Sequence, residues 1–180
     1  MRAEQRPWVQ VSDTRPTALS YDINGARIEI GYAILNSGHL PAMNAYVFAE
    51  AFSSPSIDYA MQRRHACEFA DSGMTALGLA LFPNSPVGGG VVTYISAAEL
   101  KRLSSESSNG PLISPVIVLC AAYRDGSGKL HHTPYVFNLA MSPSSVREGR
   151  GCCMIFVNDG PVPPENLTIT YSTFGQGEPD

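Results

Sequence analysis

The segment from Gly25 to Phe52 constrains the fold more than any other part of this chain. In Arg27–Leu35, large apolar side chains alternate with charged or small ones, which is typical of a half-buried strand. A second strand is expected over Ala42–Phe52. Between the two, Asn36 and Gly38 tolerate positive φ and Pro41 restarts an extended chain. We therefore predict a hairpin of two strands within an antiparallel β-sandwich.

Composition agrees with one all-β domain. The 180 residues are 44% apolar, which is enough for a core that needs no metal to fold. Sixteen glycines and fourteen prolines favour many turns and short elements. The net charge is −4, and lysines and arginines are scattered rather than arranged in a basic stripe, so we expect no nucleic-acid partner.

One stretch departs from the strand pattern. From Ser56 to Ser72 the apolar residues recur every three or four positions, which predicts one inserted helix near residues 57–72. Ser56 or Asp58 could cap its start, and Gly73 is placed to end it. A shorter helical segment is expected over Ser96–Leu103, where Ser96 and Glu99 fit a capping box.

Together with the two strands of the hairpin, the chain is expected to contain eight or nine strands in total. Thr14–Asp22 is expected to be a loop or edge segment, and Gly88–Gly90 a bulge or mobile turn. We expect a flexible N-terminus over residues 1–6, a single sandwich over 7–174 and a disordered tail over 175–180. The other expected strands are Trp8–Ser12, Leu77–Phe82, Val87–Ile95, Pro115–Tyr123, Lys129–Leu139, Gly151–Asn158 and Leu167–Phe174.

Several of these segments resemble a known family. Asn36–Gly38 followed by Pro41–Val47 resembles a turn signature of bacterial immunoglobulin-like domains, including the CARDB type and uncharacterised proteobacterial membrane-anchored proteins. Leu81–Asn84 is similar to the entry of a later strand in that group. Val118–Tyr123 and His131–Phe137 resemble a pair of its strands. The resemblance implies an immunoglobulin-like antiparallel β-sandwich.

The resemblance covers roughly residues 8 to 139, and its motifs concern turns and packing rather than chemistry. The chain departs from it at Asn84 and Leu119, where glycine is usual, and at Ala122, where aspartate is usual. In the resembling group a transmembrane helix often precedes the first strand. The resemblance therefore implies a periplasmic or extracytoplasmic module that meets a membrane only through an anchor or partner outside these residues. A chain complete as given would instead be cytoplasmic, since it shows no signal peptide.

The four cysteines form no C-x-x-C motif. Cys67, on the expected helix, and Cys120, on a core strand, could form a disulfide in an oxidising compartment. Two buried free thiols are an equal alternative. Cys152 and Cys153 are adjacent in an expected strand, so they point to opposite faces and we interpret them as structural.

His131 and His132 are also adjacent in a strand, with one imidazole facing inward and one outward. A metal site there would need a further ligand such as His39, His65 or a carboxylate. We interpret the pair as a polar strand feature and expect no metal or cofactor.

Catalytic signatures such as a G-x-S-x-G elbow or an H-E-x-x-H helix are absent from the sequence. We therefore expect no enzyme but a non-catalytic binding or scaffolding module that contacts a protein partner, as an accessory subunit of a membrane-bound assembly. An edge strand could accept the partner by β-addition. The alternatives are a metal-binding protein or enzyme using His131 and His132, and a structural subunit of a virion or filament. The candidate partner-binding residues are Asn36, Ser37, His39, Ser104, Ser105 and Asn109.

Overall fold

A computed structural model describes residues 6–53, 58–106, 112–145, 155–157 and 160–172. In this part of the chain, no helix is both long enough and apolar enough to cross a membrane. The helices are α1 (Tyr59–Leu77) and α2 (Ala97–Glu106). The strands are β1 (Val9–Asp22), β2 (Gly25–Asn36), β3 (Ala42–Ser53), β4 (Leu79–Leu81), β5 (Val87–Ser96), β6 (Leu112–Ile113), β7 (Pro115–Arg124), β8 (Leu130–Met141), β9 (Ile155–Phe156) and β10 (Leu167–Tyr171).

Two antiparallel sheets pack face to face, so the expected all-β sandwich is present. The first sheet has the order β1-β2-β5, and the second has the order β10-β8-β7-β3-β4. A separate two-stranded ribbon pairs β6 with β9. The helix α1 covers the outer face of the five-stranded sheet, which makes a third layer.

The expected hairpin between β2 and β3 is wrong. β2 pairs with β1 and β5, whereas β3 pairs with β7 and β4 in the other sheet. The connection from Ser37 to Pro41 therefore crosses the sandwich. Alternation of apolar residues shows which face of a strand is buried, but it does not show whether the next strand lies beside it or across the core.

Two apolar cores explain why β7 is buried throughout. Ile117 and Leu119 point into the core between the sheets, while Val116 and Val118 point toward α1. A strand covered on both faces reads as a continuous apolar run. The run Val116–Cys120 is therefore apolar because the sandwich core covers one face of β7 and α1 covers the other.

The helix α1 begins as expected but ends later. Asp58 caps it, since its Oδ1 accepts hydrogen bonds from the amides of Ala60 and Met61, both at 3.1 Å. The helix passes through Gly73 and ends at Leu77, with Gly78 as C-cap. Gly73 serves packing instead, because a Cβ there would overlap the Tyr46 ring. Leu77 is accordingly helical, and the strand expected over Leu77–Phe82 shrinks to β4.

The first strand is longer than expected. Of the two expectations for Thr14–Asp22, the edge segment is confirmed and the loop is wrong, because these residues belong to β1, which lies at the edge of its sheet. Its pairing with β2 shifts register between Ser12 and Arg15 and again between Pro16 and Ala18, and Asp13 has φ 49°. These irregularities make the strand hard to recognise in the sequence, because they break the alternation of apolar and polar residues.

The helix α2 is also longer than the expected Ser96–Leu103 segment. The Glu99 amide donates to Ser96 Oγ at 3.2 Å, which is half of the expected capping box. A flexible N-terminus is expected over residues 1–6, of which 1–5 lie outside the described residues, as does the tail expected at 175–180. Arg6 is described, and its guanidinium carbon lies 3.8 Å from the centroid of the Trp8 ring.

Candidate functional site

The strand β5 forms one edge of the three-stranded sheet. It pairs with β2 over ten consecutive positions, from Gly25 opposite Ser96 to Ile34 opposite Val87, without a register shift. No other described strand pairs with its second side. A strand in this position presents a row of backbone N–H and C=O groups that another chain can pair with.

The glycines of β5 are part of this regular strand, so the bulge or mobile turn expected at Gly88–Gly90 is wrong. Tyr32 of β2 lies opposite Gly89, and a Cβ at Gly89 would lie 2.7 Å from Tyr32 Cζ. The missing side chain therefore makes room for the Tyr32 ring. A Cβ at Gly88 would meet nothing within 4 Å. The three glycines are exposed, so the backbone of this half of β5 is accessible.

The outer face of β5 carries two exposed apolar side chains. Val92 is 47% exposed and Tyr94 is 37% exposed. The alternate residues Thr93 and Ile95 face the core and are buried. Val92 lies opposite Glu29 and Tyr94 opposite Arg27, and these two charged residues form an ion pair with each other. The edge itself bears no charge.

The Asn36–Pro41 connection, expected to present a polar contact surface, is built around a buried amide. The Asn36 Oδ1 accepts from the amides of Trp8 at 3.1 Å and Gly38 at 3.0 Å. Its Nδ2 donates to the carbonyls of Leu40 at 2.7 Å and Leu81 at 3.1 Å. The Asn36 side chain is therefore enclosed and its hydrogen-bonding capacity is filled, so it is not part of an exposed polar surface, and its role in partner binding stays a prediction.

The other two candidates in that connection are exposed. Ser37 Oγ accepts from Gln10 Nε2 at 3.0 Å and donates to the carbonyl of Trp8 at 3.3 Å. His39 is exposed at the crossing between the sheets. Both stay candidates for a contact, although neither lies on β5.

Two of the remaining candidate residues, Ser104 and Ser105, are helical. Ser104 and Ser105 lie in the last turn of α2, where their hydroxyls donate to the carbonyls of Leu100 and Arg102. The expectation that the helical segment ends at Leu103, before these two serines, is therefore wrong, since α2 extends to Glu106. Asn109 lies outside the described residues.

Cys67 and Cys120 form a disulfide with their Cα atoms 5.1 Å apart. Of the two alternatives for these thiols, the structure contains the bridge. It ties α1 to the central strand β7 on the side away from the sandwich core. Cys152 and Cys153 lie outside the described residues.

The adjacent histidines face opposite sides, as the alternation predicts. His131 is buried and its Nε2 lies 3.1 Å from Asp125 Oδ2. Asp125 also accepts from the hydroxyl of Ser127 at 2.6 Å, and from the amides of Ser127 and Lys129. The Ser127 hydroxyl, more than the contact with His131, holds the pKa of Asp125 well below its usual range. This cluster closes the turn between β7 and β8.

His132 lies on the α1 side. Its Nε2 is 2.8 Å from Asp71 Oδ1, beside an open groove of about 290 Å³. His65, named above as a further ligand, instead contacts Glu50 at 2.8 Å. In the described ranges, no three His, Cys, Asp or Glu side chains are grouped so that they could hold a metal ion. The groove is lined by Arg63, Arg64, Cys67, Glu68, Asp71, His132 and Pro134.

Comparisons of this chain with protein-family models, with curated proteins and with solved structures found no significant match. The function is therefore inferred from the geometry of the chain itself. Sequence reasoning named an edge strand in general terms and did not single out β5. The signal was present, since Val87–Ser96 is ten residues without charge or proline.

Proposed function

We propose that this chain is a non-catalytic, immunoglobulin-like binding module that holds an extended segment of a protein partner along the free edge of β5. One observation carries the proposal. β5 ends its sheet with ten residues that contain no charge, no proline and no register shift. Such an edge pairs readily with another strand through main-chain hydrogen bonds.

The strands at the other sheet edges differ from β5 in ways that discourage pairing. β1 carries two register shifts, Pro16 and the charged residues Asp13 and Arg15. β4 has only three residues and β10 only five. Irregular pairing, proline, charge and shortness are the devices by which natural sheets discourage edge pairing. β5 has none of them, which supports its assignment as the docking edge.

The strand order supports the immunoglobulin-like part of the proposal. β1-β2-β5 corresponds to strands A-B-E of such a sandwich, and β3-β7-β8 corresponds to strands C-F-G. In that fold a D strand lies beside strand E. Here the chain between β3 and β5 forms α1 and β4 instead, and both lie with the other sheet. The absence of a D-like strand among the described residues accounts for the open edge.

The disulfide supports a periplasmic or other extracytoplasmic location, because disulfides persist in oxidising compartments and are rare in reducing ones. A role as an accessory subunit of a membrane-bound assembly is part of the same proposal. The partner would then supply the strand that β5 lacks.

The test is selection from a displayed library of ten-residue peptides on the purified protein, followed by N-methylation of a selected peptide at each position in turn. Pairing along β5 predicts that methylation at alternate positions abolishes binding, because only every second amide faces the acceptor strand. The variant Val92→Lys should weaken binding, and the matched variant Ile23→Lys should not, since Ile23 is 93% exposed in the turn between β1 and β2. Failure to select any peptide, or loss of binding without alternation, would contradict the proposal.

A further inference from the structure

The sequence of β5 is suited to pairing with itself. We propose that its partner is a second copy of this chain, with two β5 strands running antiparallel about a two-fold axis at Val91. The inference rests on the proposed function, because it names the partner of the same edge. The result would be one continuous six-stranded sheet made of two three-stranded sheets.

A two-fold axis at Val91 places large residues opposite glycines. On the outer face, Tyr94 of one copy lies opposite Gly88 of the other, and Val92 lies opposite Gly90. Residues that are directly opposite in an antiparallel pair are close neighbours, so their sizes must complement each other. The order of β5, with glycines in its first half and large residues in its second, satisfies this requirement in both pairs, and the two-fold axis repeats each pair.

The space over the glycines is open. A Cβ at Gly88 would meet nothing within 4 Å, and one at Gly90 would come no closer than 3.5 Å to a neighbour, the Ile30 carbonyl oxygen. The Tyr94 ring of a second copy can therefore cover Gly88. The same arrangement already exists inside the sheet, where Tyr32 covers Gly89. An aromatic ring over a strand glycine compensates for the packing that glycine lacks.

The absence of charge on β5 favours a second copy of this chain over a charged partner. In a two-fold contact a charged residue near the axis faces its own copy, which is destabilising. β5 carries no charge, and the nearest charged residues across the sheet, Arg27 and Glu29, neutralise each other. An edge that selects a charged partner would be expected to carry complementary charges. The edge therefore meets the condition for self-pairing.

The test is sedimentation velocity over a range of protein concentrations. We expect a reversible dimer with a dissociation constant on the order of micromolar or weaker, because pairing of two strands buries less surface than a standard interface. Val92→Lys should weaken the dimer by about tenfold, since it places two lysines beside the axis. Ile23→Lys should leave it unchanged. Tyr94→Lys is a second variant at an exposed site if Val92→Lys does not fold.

The outcomes separate this inference from the proposed function. A dimer that Val92→Lys or Tyr94→Lys weakens, and that Ile23→Lys does not, supports self-pairing. A protein that stays monomeric at its highest soluble concentration but still binds selected peptides at β5 overturns self-pairing and leaves the proposed function intact. A dimer that is insensitive to both β5 variants also overturns it. A monomer that binds no peptide contradicts both proposals.

Discussion

Cys67 on α1 and Cys120 on β7 are joined by a disulfide that holds the outer helix against the central strand of the five-stranded sheet. In immunoglobulin domains of antibodies the conserved bridge crosses the sandwich. Here the bridge lies on the opposite side of β7, among the residues that α1 buries. On the sandwich side, β7 contributes Ile117, Leu119, Ala121 and Tyr123 to the core, whereas the bridge joins β7 to the third layer.

Removal of the disulfide should lower the stability of the fold. Its two ends are 53 residues apart, so the chain-entropy model gives a loss of about 4 kcal/mol in the free energy of unfolding for Cys67→Ala with Cys120→Ala. Urea unfolding under non-reducing conditions measures this loss. Reducing agent should destabilise the wild type and leave the double variant unchanged. Equal stability of the two proteins before reduction would contradict the bridge.

Asn36→Ala should be among the most destabilising single substitutions in the first sheet. It leaves the amides of Trp8 and Gly38 and the carbonyls of Leu40 and Leu81 without their side-chain partner. We expect a loss of about 3 kcal/mol, because only the bonds to Gly38 and Leu81 are fully buried and each orphaned buried group costs about 1–3 kcal/mol. Thermal or urea unfolding gives the value.

The control for that substitution is the neighbouring exposed serine. Ser37→Ala should change the free energy of unfolding by less than about 0.5 kcal/mol, as is usual for surface positions. Similar losses at both positions would mean that the crossing between the sheets does not depend on the buried amide.

Gly73→Ala should destabilise the protein, although the same change in a helix interior normally stabilises by about 1 kcal/mol. The reason is that a Cβ at Gly73 overlaps the Tyr46 ring. A loss of about 1–3 kcal/mol is expected from such overpacking. Tyr46→Leu combined with Gly73→Ala should recover part of the loss, so a double-mutant cycle by urea unfolding should show coupling. Stabilisation by Gly73→Ala alone would contradict the close packing of α1 on β3.

The acid stability of the fold should depend on Asp125. The pKa of Asp125 is lowered in the folded state, so its contribution is present above the unfolded pKa of about 4 and is lost as pH falls toward the lower folded value. Asp125→Asn should therefore reduce stability at pH 7 and make its decrease below about pH 5 shallower. Urea unfolding at a series of pH values tests this. An unchanged slope on the acid side would show that Asp125 does not have a lowered pKa.

The sequence predicted the sandwich because alternation in β2 and the apolar run of β7 depend on local burial. It predicted the start of α1 because Asp58 acts within one turn of the chain. The predictions from sequence failed where a local structure depends on residues that are distant in the chain. Whether Gly73 ends a helix is decided by Tyr46, and whether β3 pairs with β2 is decided by β7.

The candidate site shows the same limit. Asn36 looks like a polar loop residue in the sequence, yet Leu81, which is 45 positions away, helps to enclose and bond it. The lack of charge and proline in β5 could be read from its own residues, but its open edge could not. It exists because the chain between β3 and β5 folds onto the other sheet, which is a property of the whole topology.

The most direct test of the docking edge is amide hydrogen exchange across Val87–Ser96, measured on the protein alone and in complex with a selected peptide. In the monomeric protein, at a concentration well below the dissociation constant of the β5-paired dimer, alternate amides of β5 that face β2 should exchange slowly, and those on the open side should exchange fast. Docking of the peptide along β5 should slow the exchange of the fast set and leave the exchange of α1 and of the groove beside His132 unchanged. Protection at the groove, with β5 unaffected, would contradict it.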